Sequence, residues 1–320
     1  MNKVTVSLVT YNGDRFVSDC LKSLLNQNFQ DFELIVVDNG STDETLRLVR
    51  GVTSQAKIIE NPTNLGFAKA HNQAIRAATG EYVFVLNQDI ILQPNFLKEL
   101  VKVLDEKPQV GSAGGKLKRA HSPDHLDTTG LIIKKNRQVI DRGADEVDRG
   151  QYDQAEEVFG ISGAAVLYRR EALNAVAHQG QYFDEDFFCY KEDVDLAWRL
   201  QEAGYNAYYQ PTAKGLHFRG SGQTSQDLKN QISFWRKKSD FLVYHSYKNH
   251  LFTLLKNEEL GHFLRYFPFI IGHELKKLVA LTIFKPQLLK VVPEVLSRAP
   301  KMLRKRAIKT VHHTQLAKFI

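Results

Sequence analysis

An aspartate that follows an apolar stretch is the first residue in this sequence that could do chemistry. Residues 81–87 end in Asn87, and Asp89 comes two positions later. If this stretch is a strand, both side chains leave it on the same side and can offer two oxygen ligands to one hard cation. A Mg²⁺ or Mn²⁺ ion held there could neutralise a diphosphate leaving group. The alternative is that Asp89 caps a helix beginning near Pro94, since aspartate is common at strand ends.

A second group of carboxylates lies among aromatic residues at positions 183–196. Apolar surroundings and neighbouring like charges both raise the pKa of a carboxyl group, which suits a general base near neutral pH. Glu192 and Asp193 begin a helix predicted over residues 192–203, whose dipole favours their ionised forms, and Gly204 is placed to end it. The alternative is that these acids only favour the start of the helix. That explains one or two of them, but not the whole set beside its aromatic neighbours.

Three further polar residues could contact a nucleotide or a metal. His217 follows a short apolar stretch and could complete a metal site or be purely structural. Arg219 precedes a glycine-serine turn and could bind phosphate or lie in an ordinary surface loop. Asp38 ends a predicted strand, but no glycine-rich fingerprint follows the first strand, which argues against a nicotinamide cofactor. We interpret Asp38 as a nucleoside ligand of another kind.

Strands and helices alternate in the first part of the chain. Apolar runs predict buried strands over residues 4–11, 33–38, 57–60 and 81–87, with helices after the first strand and over residues 67–78. This order predicts an α/β fold whose mostly parallel sheet carries helices on both faces. Ligands bind at the carboxyl ends of strands in such sheets. We therefore expect the polar residues at the predicted strand ends to converge at one edge.

The middle of the chain, from about residue 111 to 220, is less regular. A strand is predicted over residues 158–168, and it contains Gly160 and Gly163, where a ligand or another backbone could approach closely. After about residue 223 the pattern becomes mainly helical. We therefore predict a catalytic region over residues 1–222 and a helical, basic region over residues 223–320.

The composition limits the class of protein. Hydrophobic residues make up 43% of the 320 residues and charged residues 25%, which excludes a mainly disordered chain. Cys20 and Cys189 form no metal or redox motif, so a reducing cytoplasm fits. No secretory signal is visible, and charged residues interrupt the most apolar later stretch, so a simple membrane-spanning helix is not expected.

The net charge of +7 belongs to the end of the chain, because residues 285–320 carry nine lysines and arginines against one acid, Glu294. Basic segments meet anionic surfaces, either membrane or nucleic acid. No nucleic-acid reader motif is present, so we expect no nucleic-acid partner. Two interpretations of the helical region stay open. It packs on the catalytic region or on a second copy of the chain, or it lies on anionic lipid as an amphipathic surface.

Taken together, seven short motifs resemble the family 2 inverting glycosyltransferases of the GT-A fold. They occur in the family's order across about residues 1–220. The matching segments are Val9-Thr10-Tyr11-Asn12, Val36-Val37-Asp38-Asn39-Gly40-Ser41-Thr42-Asp43, Asn64-Leu65-Gly66-Phe67-Ala68, Leu86-Asn87-Gln88-Asp89, Gly163-Ala164-Ala165, Glu192-Asp193-Val194-Asp195-Leu196 and His217. The third and sixth segments look especially like the rhamnosyltransferase-like branch, which builds bacterial surface polysaccharides.

The resemblance implies a role for each matching residue. Asp193 takes the place of the catalytic base, and Asp89 and His217 take the places of metal or diphosphate ligands, with Mg²⁺ or Mn²⁺ as the cofactor. The residues expected to border the nucleotide sugar are Thr10, Tyr11, Asn12, Asp38, Asn64, Gly66, Asn72, Asn87, Gly163 and Arg219. In the implied reaction Asp193 removes a proton from the acceptor, and the configuration at the anomeric carbon inverts in one displacement.

Two departures from the family pattern shape the expected function. Asn87 replaces the first acid of the metal motif, which weakens charge neutralisation at that position. The Gln-X-X-Arg-Trp motif of processive polymer synthases is missing. We therefore predict transfer of a single sugar, with rhamnose as the candidate, to a saccharide or lipid-linked saccharide in surface polysaccharide synthesis. A cytoplasmic protein at the inner face of the membrane fits this function. The alternative is a non-catalytic nucleotide-sugar or polysaccharide-binding protein of the same fold.

Overall fold

A computed structural model of the chain describes residues 2–219, 238–306 and 316–320. Its strands are β1 (Val4–Thr10), β2 (Phe32–Asp38), β3 (Lys57–Glu60), β4 (Tyr82–Asn87), β5 (Ile90–Leu92), β6 (Val110–Arg119), β7 (Ser122–Thr128), β8 (Leu131–Ile133), β9 (Val139–Asp141), β10 (Glu156–Val158), β11 (Ala165–Arg169) and β12 (Asn206–His217). Its helices are α1 (Val17–Leu25), α2 (Thr45–Val52), α3 (Phe67–Ala77), α4 (Phe96–Glu106), α5 (Arg170–Val176), α6 (Glu192–Glu202), α7 (Asp240–Asn257), α8 (Leu260–Phe284) and α9 (Val291–Lys305).

Ten strands form the main sheet. Its order is β10-β12-β6-β11-β4-β1-β2-β3, with β5 added to β12 and β7 to β6. The four strands β3, β2, β1 and β4 are parallel, as predicted. Beyond them the sheet is mixed, because β11 runs antiparallel to both β4 and β6 while β12 runs parallel to β6. The carboxyl ends of β1, β2 and β4 therefore meet at one edge.

Helices cover both faces of this sheet, which confirms the predicted α/β architecture. On one face α1, α2 and α4 bury their apolar sides, including Leu21, Val49 and Leu100. On the other face α3, α5 and α6 contribute residues such as Ile75 and Leu196. Because β1 is covered on both sides, its residues are almost all buried, including the polar residues Thr5, Ser7 and Thr10.

The single strand predicted over residues 158–168 is wrong. The chain forms two short strands, β10 and β11, and residues 159–164 cross beneath α6 without joining the sheet. Gly160 explains the interruption, since a Cβ atom added there would lie only 2.5 Å from the Cβ of Ala197 in α6. The glycine signal for close backbone approach was therefore sound, but the neighbour that approaches Gly160 is a helix.

The C-terminal helices form a core of their own against the catalytic region. Residues from α7, α8 and α9 surround Phe187, whose ring centroid lies 6.1 Å from that of Phe252. Residues 223–237 and 307–315, part of the predicted helical region, lie outside the described residues. Among the residues described, none of the helices combines the length and the apolar character needed to cross a lipid bilayer.

Candidate active site

Asp89 and His217 meet where β5 pairs with the end of β12. Asp89 lies in the turn between β4 and β5, and its Oδ2 is 3.4 Å from Nε2 of His217. The other ring nitrogen of His217, Nδ1, is 2.7 Å from Oδ2 of Asp127, a buried residue at the end of β7. The helix α4 begins at Phe96 with Asn95 as its cap residue, so Asp89 does not cap it.

This group of residues has the chemistry of a divalent-cation site. The side-chain amide of Asn87 has no partner among the described residues, and about a quarter of Asp89 is exposed at the sheet edge. Burial would lower the pKa of His217, but hydrogen bonds and charge from Asp127 and Asp89 outweigh it and raise the pKa to about 9. A cation bound by Asp89 and His217 would take the place of that proton. The residues present therefore fit the implied metal, with Asp127 orienting the imidazole.

Arg219 joins this group to the next one. Its Nη1 lies 2.9 Å from Oδ2 of Asp141 at the end of β9 and 3.5 Å from Oδ1 of Asp127. Burial would lower the pKa of Arg219, but the charges of Asp141 and Asp127 raise it further above its ordinary value, so the guanidinium stays charged. About a third of its side chain is still exposed, which leaves it able to meet a phosphate. The turn predicted at residues 220–222 lies outside the described residues.

Asp193 lies in the first turn of α6 and is held in place by backbone groups. The N–H of Gly163 donates to Oδ2 of Asp193 at 3.0 Å, and the N–H of Val194 donates to Oδ1 at 2.8 Å. Burial raises the pKa of Asp193 and the charge of Asp141 adds to the rise, while the Gly163 N–H and the Lys191 ammonium oppose it. A fixed carboxylate with a raised pKa is suited to accept a proton from an acceptor hydroxyl.

Glu192, next to Asp193, has a different environment. Its side chain is buried, and Oε2 has no hydrogen-bond partner among the described residues. Burial, followed by the charge of Asp193, raises the pKa of Glu192 well above its ordinary value. Two adjacent carboxyl groups therefore differ in character. Glu192 is the more strongly protonated of the two, and Asp193 is the one able to act as a base.

The turn that leads into α6 is conformationally strained. Positive φ angles of 64°, 68° and 70° occur at three residues that are not glycine: Phe188, Tyr190 and Lys191. Such positions persist only where their surroundings hold them, and they cluster at active sites. Asn249 of α7 supplies this restraint, because its Nδ2 lies 2.7–2.8 Å from the carbonyl oxygens of Phe187, Cys189 and Tyr190. A C-terminal helix therefore fixes the approach to Asp193.

The other acids of the aromatic-acidic segment do not behave as predicted. Lys256 donates to Asp184 at 2.7 Å and to Asp195 at 2.9 Å, and Lys305 donates to Asp186 at 2.7 Å. Burial alone would raise the pKa values of these three acids, but the lysines hold them below the ordinary value. The expectation that clustering raises the pKa of the whole set is therefore wrong for them, because cations from the C-terminal helices neutralise them.

The ends of β1 and β2 form a second polar group beside the first. Oγ1 of Thr10 donates to Oδ1 of Asp38 at 3.0 Å, and the N–H of Ser41 donates to Oδ2 at 3.0 Å, so both carboxylate oxygens are engaged. Asp38 is buried, whereas Tyr11 is 44% exposed. Asn12 has a φ of 43°, and its Oδ1 accepts the N–H of Thr42 at 2.9 Å. These residues border a surface onto which a base could stack.

Two side chains connect this group to its neighbours. Gln88, which precedes Asp89, accepts the N–H of Tyr11 and donates to its carbonyl oxygen, both at 3.0 Å. Asn64 accepts the N–H of Gly66 at 2.9 Å and a second hydrogen bond from Asn39 at 2.9 Å. Gly66 has a φ of 85°, and a Cβ atom there would lie 2.5 Å from the carbonyl oxygen of Phe188. The loop between β3 and α3 therefore packs directly against the strained turn.

Not every predicted residue shares this edge. Asn87 does, because its N–H donates to the carbonyl oxygen of Ala164 at 2.8 Å, next to Gly163. Asn72 is fully buried in α3, where it donates to the carbonyl oxygen of Phe183 at 2.7 Å and accepts the N–H groups of Tyr182 and Phe183. Its amide thus fastens the segment before the strained turn. The predicted contact between Asn72 and the nucleotide stays a prediction.

The sequence interpretation missed Asp127 and Asp141. Asp127 lies near the end of β7 and Asp141 ends β9, and they contact His217 and Arg219, respectively. These partners are separated from them by 90 and 78 positions in the chain. No local spacing signals such a pair, although an aspartate at the end of an apolar stretch was the signal used for Asp38 and Asp89. The same rule applied to residues 131–141 would have found Asp141.

Comparison with known proteins identifies the family of the chain. The profile of Glycosyl transferase family 2 matches residues 5–177, which is more than half of the chain. An N-acetylglucosaminyl-diphospho-decaprenol L-rhamnosyltransferase from Mycobacterium tuberculosis is 27% identical over 264 residues, covering 73% of this chain and 81% of that protein. A poly-beta-1,6-N-acetyl-D-glucosamine synthase from Staphylococcus epidermidis is 24% identical over 212 residues, covering 66% of this chain. The chain spans only 48% of the length of that synthase.

Solved structures share the fold at low sequence identity. A mannosyltransferase from Pyrobaculum calidifontis, in complex with GDP-Man and Mn²⁺, has a TM-score of 0.55 at 18% identity and covers 96% of this chain and 84% of its own. TarS from S. aureus has a TM-score of 0.53 at 19% identity, with 96% of this chain and 53% of its own covered. These likenesses support the GT-A fold with a helical extension. The chain carries a glycosyltransferase domain and belongs to Glycosyl transferase family 2.

Proposed function

We propose that this chain is an inverting glycosyltransferase that moves one sugar from a nucleotide-diphosphate donor to a hydroxyl group of an acceptor. The observation that carries the proposal is the arrangement around Asp193. This carboxylate is fixed by the N–H of Gly163, has a raised pKa, and is coupled through Asp141 and Arg219 to the group at Asp89. A base and a diphosphate site are thus built into one network.

The proposed reaction is a single displacement. Asp193 accepts the proton of the acceptor hydroxyl while that oxygen attacks the anomeric carbon, and the bond from this carbon to the diphosphate breaks on the opposite face. The electron pair leaves with the diphosphate, and Arg219 is placed to stabilise its charge. Asp89 and His217, with Asn87 at the end of β4, would hold a Mg²⁺ or Mn²⁺ ion, which when bound supplies further charge neutralisation. The mannosyltransferase with the same fold holds Mn²⁺.

The Mycobacterium tuberculosis relative suggests the identity of the substrates. It aligns over most of both chains, and its name specifies L-rhamnose transfer to a lipid-linked N-acetylglucosamine. We propose rhamnose as the sugar, a lipid-linked saccharide as the acceptor and bacterial surface polysaccharide as the product. Transfer of a single sugar fits better than polymer synthesis, because the sequence lacks the Gln-X-X-Arg-Trp motif of processive synthases.

We place the enzyme at the cytoplasmic face of the membrane, where a lipid-linked acceptor is presented. Part of the basic C-terminal charge faces the catalytic region, since Lys301 and Lys305 bind Asp184 and Asp186. Packing on the catalytic region therefore accounts for this face, and we propose membrane contact for another face of the C-terminal region. Homo-oligomerisation through the C-terminal helices is the alternative use of the remaining face.

The decisive experiment measures nucleoside-diphosphate release from a panel of nucleotide sugars with Mg²⁺ or Mn²⁺, with and without a short-chain diphospholipid-linked N-acetylglucosamine. We expect acceptor-dependent release and, by NMR of the product, inversion at the anomeric carbon. Retention of configuration would overturn the mechanism. Tight binding of a nucleotide sugar without turnover of any acceptor would instead support a non-catalytic binding protein of the same fold.

A further inference from the structure

A basic groove lies between the turn of the β8–β9 hairpin and the middle of α8. Its volume is about 340 Å³. It is lined by Lys134, Lys135, Asn136, Pro268, Phe269, Gly272, His273 and Lys276. These lining residues include three lysines and no carboxylate. Nζ of Lys135 lies 6.0 Å from the ring centroid of Phe269, so the hairpin and the helix approach each other across the groove.

The groove is part of a wider cationic region. The charges of Lys277, Lys276 and Lys134 act on His273, and together with burial, the larger effect, they lower its pKa to about 4. The acid that α8 contributes here, Glu274, is turned away from the groove to His250, with Oε1 at 2.8 Å from Nε2 of that residue. The open positive charge of this region is therefore available to an anion.

The neighbouring histidines and glutamate might suggest a metal instead, and charge decides between the two. Ligand atoms of His250, His273 and Glu274 lie within 4.8 Å of one another. However, Lys277 acts electrostatically on all three of these residues. A divalent cation would add to this positive charge, whereas an anion in the groove would be attracted by it. The electrostatics therefore favour an anionic ligand.

An exposed apolar stripe runs along α8 beside the groove. Its members lie on one side of the helix in two runs, each spaced by three or four residues: Leu260, Leu264 and Phe267, and then Leu275, Val279 and Ile283. Their exposures range from 45% at Phe267 to 69% at Leu260. Soluble surfaces rarely leave an apolar face of this length uncovered. Arg265 and Lys276 are exposed on the same helix, so the face combines apolar and cationic groups.

We propose that this groove and stripe form a docking face for anionic phospholipid. The lipid phosphate binds the lysines of the groove, and the apolar stripe enters the boundary between headgroups and acyl chains. Charge complementarity selects this occupant, because a second copy of the chain would bring a second set of the same lysines into contact. The proposal rests on the membrane location proposed above and assigns it to a specific face.

The test is co-sedimentation of the full chain with vesicles of phosphatidylcholine alone or mixed with phosphatidylglycerol, at low and high salt. The variant Lys134→Gln/Lys135→Gln/Lys276→Gln removes three charges from the groove. Lys22→Gln/Lys98→Gln/Lys102→Gln removes three exposed charges from α1 and α4 and serves as its matched control. A lysine near an anionic surface is worth about a fivefold change in affinity, so we expect on the order of a hundredfold loss for the groove variant only.

A second variant, Leu264→Ser/Val279→Ser, tests the stripe, and we expect it to weaken binding to the same vesicles. Equal binding by the wild type, groove variant and control would overturn the proposal. The proposal would also be overturned if the wild-type chain did not bind phosphatidylglycerol vesicles and formed a dimer, while the stripe variant was monomeric. Nucleoside-diphosphate release without vesicles is measured on the same samples. A wild-type chain that releases no nucleoside diphosphate would contradict the proposed function. A wild-type chain that releases it but does not bind the vesicles would contradict only the docking face.

Discussion

Two adjacent carboxyl groups, Glu192 and Asp193, are expected to respond in opposite ways to the same chemical change. Glu192 is buried with a strongly raised pKa, so Glu192→Gln replaces a protonated acid by a close mimic and should leave transfer within a few fold of wild type. Asp193→Asn removes the proposed base and should lower kcat by about 10² to 10⁴-fold. Single-turnover transfer to the acceptor, with binding of the nucleotide measured separately, distinguishes the two. Equal loss in both variants would contradict the assignment of Asp193.

The charge of Lys191 should be visible in the pH profile of kcat. A base acts in its ionised form, so the rate falls as pH decreases through the pKa of Asp193, which is raised above the ordinary value of 3.8. Lys191 opposes that rise, so Lys191→Met should raise the pKa further and move the acid limb of the profile to higher pH. Lys191→Arg keeps the charge and should leave the limb in place. A profile that does not move in Lys191→Met would contradict this coupling.

At the scale of elements, α7 holds the turn before α6 through one side chain. Removing the Asn249 amide takes a donor from the carbonyl groups of Cys189 and Tyr190, while the carbonyl of Phe187 still accepts the N–H of Cys189. We expect this to cost about 1–3 kcal/mol in the free energy of unfolding. Because the turn is strained, Asn249→Ala should also lower kcat more than it changes the Kd of the nucleotide. Asn28→Ala, which removes an exposed amide contact to Asn95, is the control and should do neither. An unchanged kcat in Asn249→Ala would show that the turn keeps its active conformation without this side chain.

The elements also show what the sequence could predict. The strands β1, β2 and β4 and the helix α6 were predicted to within one or two residues, because apolar runs and a glycine stop signal are local. The break between β10 and β11 was not, since it depends on the distance from Gly160 to a helix that comes later in the chain. The strand-end rule could have found Asp141, but the contacts that give Asp127 and Asp141 their place in the site could not be predicted. Their importance comes from partners far along the sequence, and no pattern within a short window records such a contact.

At the scale of the whole molecule, a buried lysine ties the C-terminal helices to the catalytic region. Nζ of Lys256 lies 2.7 Å from Oδ2 of Asp184 and 2.8 Å from Oδ1 of Asp195, and all three side chains are almost fully buried. Lys256→Met leaves two buried carboxylates without this partner and should lower the free energy of unfolding by about 3–5 kcal/mol. Lys102→Met, at an exposed pair with Glu106, should change it by less than about 1 kcal/mol. Denaturant unfolding at neutral pH measures both.

The contacts of Lys256 with Asp184 and Asp195 also predict how the free energy of unfolding depends on pH. The pKa values of Asp184 and Asp195 are lowered in the folded state, so their contribution is present above the unfolded pKa and is lost as pH falls through the folded one. In Lys256→Met this lowering is weaker, so the difference in stability between variant and wild type should shrink as the pH is lowered. A difference that stays constant down to acid pH would mean that packing, rather than charge, accounts for the effect.

The position of Phe187 within the core of α7, α8 and α9 limits how this enzyme can be recombined with its relatives. Phe187 comes six residues before Asp193, so a chimera joined between the two regions would set this ring into a cavity shaped for another side chain. Exchange of acceptor preference is therefore expected to work when residues 183–196 are inherited together with α7, as one block. Crossover points placed inside that block should yield chains that still bind the nucleotide but no longer hold Asp193 in position to act as a base.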